Sequence, residues 1–158
     1  MIAVGCFRLS PFRCNIRGMQ IHGSCAARDG VGVLLTGAPG IGKSDLVLRL
    51  IARGFVLVAD DRVEIDGLDA GPPAALAGLL EVRGLGIVTL PFAAPVRLAL
   101  AVELARDVPR LPYPARHPRL DVPLVRLDPE RASAPEMVAL ALDCALGRVR
   151  QTVGASAA

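Results

Sequence analysis

The chain has no tryptophan, one tyrosine and four phenylalanines in 158 residues. So little aromatic surface leaves no platform for single-stranded nucleic acid, whose bases stack on aromatic faces. Lysine is scarcer still. Lys43 is the only one, and the other basic residues are arginines scattered along the chain. The net charge of +3 is mild, and without a basic cluster it argues against a nucleic-acid partner. Hydrophobic residues make up 53% of the chain and mean hydropathy is +0.48. Yet no uninterrupted apolar run approaches the roughly 18 residues of a membrane-spanning helix. The apolar content is mostly Ala, Val and Leu, which suits a small-residue core rather than a bilayer. The four cysteines, Cys6, Cys14, Cys25 and Cys144, form no CxxC pair and no zinc spacing. That excludes a metal knuckle, disfavours even a Cys6–Cys14 bridge, and fits a reduced, cytoplasmic protein.

Residues 1–17 carry Arg8, Arg13 and Arg17 but neither a continuous apolar segment nor a small-residue cleavage site, unlike a signal peptide. They read as a poorly ordered extension reaching residue 18, with Met19 as an alternative start. Residues 19–150 read as one domain, and 151–158 as a flexible tail.

What stands out is Gly37-Ala38-Pro39-Gly40-Ile41-Gly42-Lys43-Ser44. It fits G-x-x-x-x-G-K-[ST], the loop whose backbone N–H groups cradle phosphates. Its lysine reaches the β- and γ-phosphates and its serine ligates Mg²⁺. The apolar run 31–35 before it predicts a buried strand, and 45–53 predicts a helix whose N-terminal partial charge adds to the phosphate site. Gly54 is placed to end that helix. A strand follows at 55–59, then Asp60-Asp61, then a returning strand at 63–65. Residues 71–80 read as helix or loop. Residues 81–88 read as a glycine turn followed by a strand, and 96–104 as a buried strand. Five prolines between 106 and 123 exclude regular structure and predict a long loop. Residues 134–150 predict a helix, with Ser133 as N-cap and Pro135 in its first turn. Strands alternating with helices early and clustering later predict an α/β fold with a mixed sheet.

Two acidic features accompany the loop. One of Asp60 and Asp61 is suited to hold Mg²⁺ through water, and the other to take a proton from an incoming hydroxyl; spacing leaves the assignment open. Glu81, beside Arg83 and Gly84, is a second carboxylate with a flexible approach.

Four blocks in order carry a family resemblance: His22-Gly23; Gly32-Val33-Leu34-Leu35-Thr36-Gly37 leading into the loop; Arg53-Gly54-Phe55-Val56-Leu57-Val58-Ala59-Asp60-Asp61; and Leu80-Glu81-Val82-Arg83-Gly84-Leu85-Gly86-Ile87. Together they resemble the catalytic, C-terminal domain of the HPr kinase/phosphorylase family. The resemblance covers about residues 19–104. It implies a P-loop-containing mixed sheet flanked by helices, and a bacterial, cytoplasmic protein-serine kinase. Such a kinase uses ATP and Mg²⁺ on HPr, a small phosphocarrier of the sugar phosphotransferase system. It further implies that Gly37 to Ser44 bind the nucleotide and that Ser44 and Glu81 hold the metal. Catalysis is expected to involve Lys43, the Asp60-Asp61 pair, His22 and an arginine matched by Arg110. The family's hexamers imply a homo-oligomer.

Three departures from the family pattern bear on this. The chain is expected to be a short form without the family's separate N-terminal domain. Pro39 replaces a serine. The segment 120–126, linked in the family to the reverse, phosphorylase reaction, lacks its glycine, which weighs against that activity. The competing reading is a nucleotide-sensing regulatory protein that binds ATP and a partner without phosphoryl transfer.

Overall fold

The computed structural model describes residues 18–155. The expected N-terminal extension, Cys6, Cys14 and the last three residues lie outside them. The central sheet is mixed and runs in the order β1 (Met19–His22), β5 (Arg62–Asp66), β6 (Asp69–Gly71), β9 (Val96–Leu104), β3 (Val31–Gly37), β2 (Ser24–Arg28), β4 (Val56–Ala59). A further strand, β10 (Leu124–Leu127), pairs in parallel with the second half of β9. β7 (Leu79–Val82) and β8 (Gly86–Thr89) form a separate antiparallel hairpin. Two helices, α1 (Lys43–Ile51) and α2 (Ala134–Ala145), pack on the sheet.

β3 carries Val33 and Leu35 into the core beneath the helices and Leu34 into a second core on the opposite face. It is therefore buried on both sides, which is why its sequence is a continuous apolar run rather than an alternation. In α1, Lys43, Leu46, Val47 and Leu50 are buried, the i, i+3, i+4, i+7 spacing of one helix face. Gly54 closes α1 as anticipated. Phe55 N–H donates to Leu50 C=O at 3.1 Å and Gly54 N–H to Ile51 C=O at 3.1 Å, the bond pair of a Schellman cap.

The two ends of the sheet are covalently adjacent. β1 and β2 are separated only by Gly23, and β4 and β5 only by Asp60 and Asp61. β1 pairs antiparallel with β5, and β2 with β4. These four strands are thus one long ribbon, bent where Gly23 N–H donates to Asp61 C=O at 3.1 Å. The bend curls the sheet upon itself. A Cβ on Gly23 would sit 2.6 Å from Leu35 carbonyl oxygen, so glycine is required where the ribbon crosses β3.

Several boundaries differ from expectation. α1 starts at Lys43 rather than residue 45, because the end of the glycine loop itself forms the first turn. The region 71–80 is neither one helix nor one loop: β6 ends in it, a short 3₁₀ turn spans Ala74–Leu76, and β7 begins. Helix α2 stops at Ala145 rather than 150; Gly147 takes φ +70°, and the N–H groups of Arg148 and Val149 fold back onto Asp143 C=O. Ser133 makes no side-chain cap; it contributes its carbonyl to Met137 N–H. The segment 120–126 contains the start of β10, which its sequence does not announce. Gly154 and Ala155 are buried, and Ala155 C=O accepts from Ala115 N–H at 3.1 Å.

Candidate active site

β3 and β4 run in one direction with antiparallel β2 between them. The C-terminal ends of β3 and β4 and the start of β2 therefore share one edge. That edge collects the glycine loop, Asp60 and Ser24. The hairpin β7–β8 adds Glu81 and Arg83, and the bent ribbon adds His22 and Asp61. These residues line a cavity of about 460 Å³ together with Pro39, Gly40, Gly42, Lys43, Ser44 and Asp45.

The tip of the loop is a tight turn, with Ile41 N–H donating to Ala38 C=O at 3.2 Å. Pro39 occupies its second position and Gly40, at φ +75°, its third, the residue choice of a type II turn. Pro39 thus fixes the loop by ring geometry. Gly42 precedes the helix without a side-chain cap, so the first N–H groups of α1, which have no intrahelical acceptor, are not blocked by one. Lys43 is only 8% exposed. Its Nζ donates to Gly37 C=O at 2.9 Å and Ala38 C=O at 3.0 Å. Burial pushes its ammonium below the ordinary lysine range, and the nearby charges of Asp60 and Asp61 oppose that shift.

Asp60 and Asp61 have different surroundings. Asp60 is 5% exposed and is held by four contacts. Ser24 Oγ donates to its Oδ1 at 2.7 Å. Ser44 Oγ lies 2.8 Å from Oδ1 and 3.0 Å from Oδ2, and Glu81 N–H donates to Oδ2 at 3.2 Å. Asp61 follows in the left-handed region, at φ +67°, so its side chain leaves in another direction. It is 60% exposed, with Oδ1 3.4 Å from His22 Nδ1 and Oδ2 3.8 Å from Arg62 Nε. The strand has ended at Ala59, so the alternation that would send the two carboxylates to opposite faces of a sheet does not apply.

The structure thus brings together His22, Pro39, Gly40, Gly42, Lys43, Ser44, Asp60, Asp61 and Glu81 at the cavity, while Gly37, Ala38 and Ile41 of the loop do not line it. It does not bring Arg110, which is exposed in the loop between β9 and β10 and does not line the cavity. Ser24 belongs to the site and was not anticipated. The signal available was a lone hydroxyl at the start of an apolar strand, directly after His22-Gly23.

The donor set suits a nucleotide with Mg²⁺. Ser44 Oγ, the Asp60 carboxylate and Glu81 are hard oxygen donors in one cavity, as that ion requires, beside a glycine loop opening a helix.

The family model described as HPr Serine kinase C-terminal domain matches residues 16–93, a span containing every residue gathered at the cavity. Among solved structures, the chain is similar to the HPr(Ser) kinase/phosphatase from Coxiella burnetii. The two are 27% identical with a TM-score of 0.69, over 82% of this chain and 92% of that one. A likeness that runs through both sequence and fold, and whose family match spans every residue of the cavity, places the chain in the HPr serine kinase family by its C-terminal domain.

Proposed function

We propose that the chain is an ATP- and Mg²⁺-dependent serine kinase whose acceptor is an HPr-like phosphocarrier protein. The observation that carries this reading is the division of labour between the two aspartates. Asp60 is buried and committed to Ser44, Ser24 and the Glu81 backbone, which suits a carboxylate that orients a metal-binding serine. Asp61 is exposed beside His22 at the cavity mouth, which suits a group that accepts a proton from an incoming hydroxyl.

On this reading the loop N–H groups and Lys43 bind the phosphates, while Ser44, with Asp60 and Glu81 behind it, holds Mg²⁺. The metal, when bound, neutralises charge on the phosphoryl oxygens. Asp61 takes the seryl proton as the serine oxygen bonds to the γ-phosphorus and the bond from that phosphorus to the β–γ bridging oxygen breaks, so that ADP leaves. His22 steadies the Asp61 carboxylate. Positioning and charge neutralisation supply most of the acceleration.

The test is mass spectrometry of a purified HPr-like carrier from the same host after incubation with protein, ATP and Mg²⁺. The wild-type chain adds one phosphate on serine. Lys43→Ala and Ser44→Ala abolish the gain, and Asp61→Asn lowers it by about two orders of magnitude or more while binding of a fluorescent ATP analogue persists. Full transfer by Lys43→Ala or Ser44→Ala would remove the assignment. The position of Arg110 away from the cavity favours one other reading, a regulatory protein that binds nucleotide without transfer. Nucleotide binding with no change in carrier mass selects it.

A further inference from the structure

The hairpin β7–β8 has one dry face and one exposed face. Leu80 is fully buried, and Val82 and Val88 pack on the same core. The opposite face carries Glu81, which lines the cavity, and Ile87, its directly paired partner across the hairpin. Directly opposed residues of an antiparallel pair project to the same side. Ile87 therefore stands beside Glu81 at the cavity rim, and it is 70% exposed. Leu85, two residues earlier in the turn closed by Leu85 N–H to Val82 C=O, is 74% exposed. Turn tips favour polar residues, yet here two large aliphatic side chains flank Gly86.

We infer that Leu85 and Ile87 form part of the docking surface for the acceptor protein, offering it an apolar contact beside the cavity. The inference rests on the kinase reading above. The cavity has the volume of a single small-molecule site, about 300–1,000 Å³ being usual. With a nucleotide inside it, the body of a protein acceptor rests on the rim. One side of that rim carries His22, Asp61 and Arg62; on the hairpin side Glu81 and Arg83 line the cavity, and the exposed aliphatic side chains Leu85 and Ile87 stand beyond them. Ile87, paired with Glu81, is the exposed apolar side chain next to the cavity that such an acceptor meets on the hairpin side. Removing their contact acts on recognition rather than on the transfer step, because both side chains are aliphatic and carry no group that can donate, accept or pair with Lys43, Ser44 or the aspartates.

The experiment compares the wild-type chain with the double variant Leu85→Ser/Ile87→Ser and a control, Val153→Ser, at an exposed valine away from the cavity. Carrier phosphorylation, affinity for a fluorescent ATP analogue and sedimentation are measured for each. Expected is a rise in KM for the carrier of about tenfold or more, equivalent to 1.4 kcal/mol or more. The value of kcat, nucleotide affinity and sedimentation stay unchanged, and the control behaves as wild type. An unchanged KM overturns the inference. So does an altered sedimentation coefficient with unchanged KM, which identifies the patch as a contact between copies of this chain. If the wild type leaves the carrier unmodified, the kinase reading falls, and calorimetric binding of the carrier then decides. Binding that the double variant loses supports the docking surface on its own; equal binding, or none, overturns it.

Discussion

At the scale of single residues the centre of the site is Asp60, a buried carboxylate satisfied by two hydroxyls and one backbone N–H. Ser24 is the member with no motif of its own. Its Oγ reaches Asp60 from the start of β2 and is 1% exposed as a residue, so water cannot simply replace it. Ser24→Ala is expected to keep the fold and to cost about 1–3 kcal/mol, the range for leaving a buried polar group short of a partner. Denaturant melting reads that loss. Transfer to the carrier should fall with it, since Asp60 then holds Ser44 less firmly, whereas an unchanged melt and unchanged transfer would show that Ser24 is a spectator. The loop residues Lys43 and Ser44 and the Asp60-Asp61 pair were legible as cavity residues because phosphate and Mg²⁺ chemistry dictates residue type at fixed spacing, whereas Glu81 was only a weak signal by itself and His22 entered through the family resemblance. Ser24 was not legible, because its contact exists only once Gly23 lets the ribbon bend. Arg110 was named from a short divergent stretch between prolines, where no neighbouring element fixes the direction of the chain.

Among the elements, the loop between β9 and β10 shows how a segment without regular structure is still held. His117 is its anchor. Its N–H donates to Val122 C=O at 2.8 Å, and its C=O accepts from Asp121 N–H at 2.9 Å. Its ring Nδ1 accepts from the backbone N–H groups of Leu120 at 3.2 Å and Arg119 at 3.3 Å. Only an unprotonated Nδ1 accepts a hydrogen bond. Burial, and then the charge of Arg119, place its pKa below the ordinary 6.5. The folded loop therefore binds fewer protons than the unfolded chain between that lowered value and 6.5. The stability contributed by this turn is full above about pH 6.5 and declines as pH falls from there through the folded value. Hydrogen exchange of the Arg119 and Leu120 amides, corrected for intrinsic rates, should show protection lost on acidification across that window. Constant protection would mean that the turn does not depend on the imidazole. The five prolines announced this loop correctly, since they remove donors and forbid helix. They gave no sign of β10 immediately after it. Four residues without alternation become a strand only because the edge of β9 is there to pair with.

On the scale of the whole molecule, the family match ends at residue 93, but the fold does not. β9 begins at Val96 and is the hub of the sheet, pairing with β3, β6 and β10. It supplies Leu100, Val102 and Leu104 to the core beneath the helices, and Leu98 and Ala101 to the core on the other face. The following segments close the first of those cores with Leu127, Val138 and Leu142. They also brace directly the half that builds the cavity. Arg49 of α1 donates to the carbonyls of Pro129 and Arg131, each at 2.7 Å. Arg28 of β2 pairs with Asp143 of α2 at 2.6 Å and lies over the Phe55 ring. A chain cut after residue 93 would retain every residue gathered at the cavity. It would also leave β3, the strand that launches the glycine loop, with an open edge and its apolar side chains in water. Open, apolar sheet edges associate rather than persist, and small domains stand only a few kcal/mol above unfolding. The fragment 1–93 is therefore expected to show no cooperative thermal transition and no saturable binding of a fluorescent ATP analogue, while the 158-residue chain shows both. Calorimetry and titration of the two proteins side by side check this. A fragment that melts cooperatively and binds nucleotide would show that the glycine loop, Asp60 and Glu81 are held by their own half of the sheet. Failure of both would mean that the geometry of the site is a property of the closed sheet, with β9 as the element on which it depends.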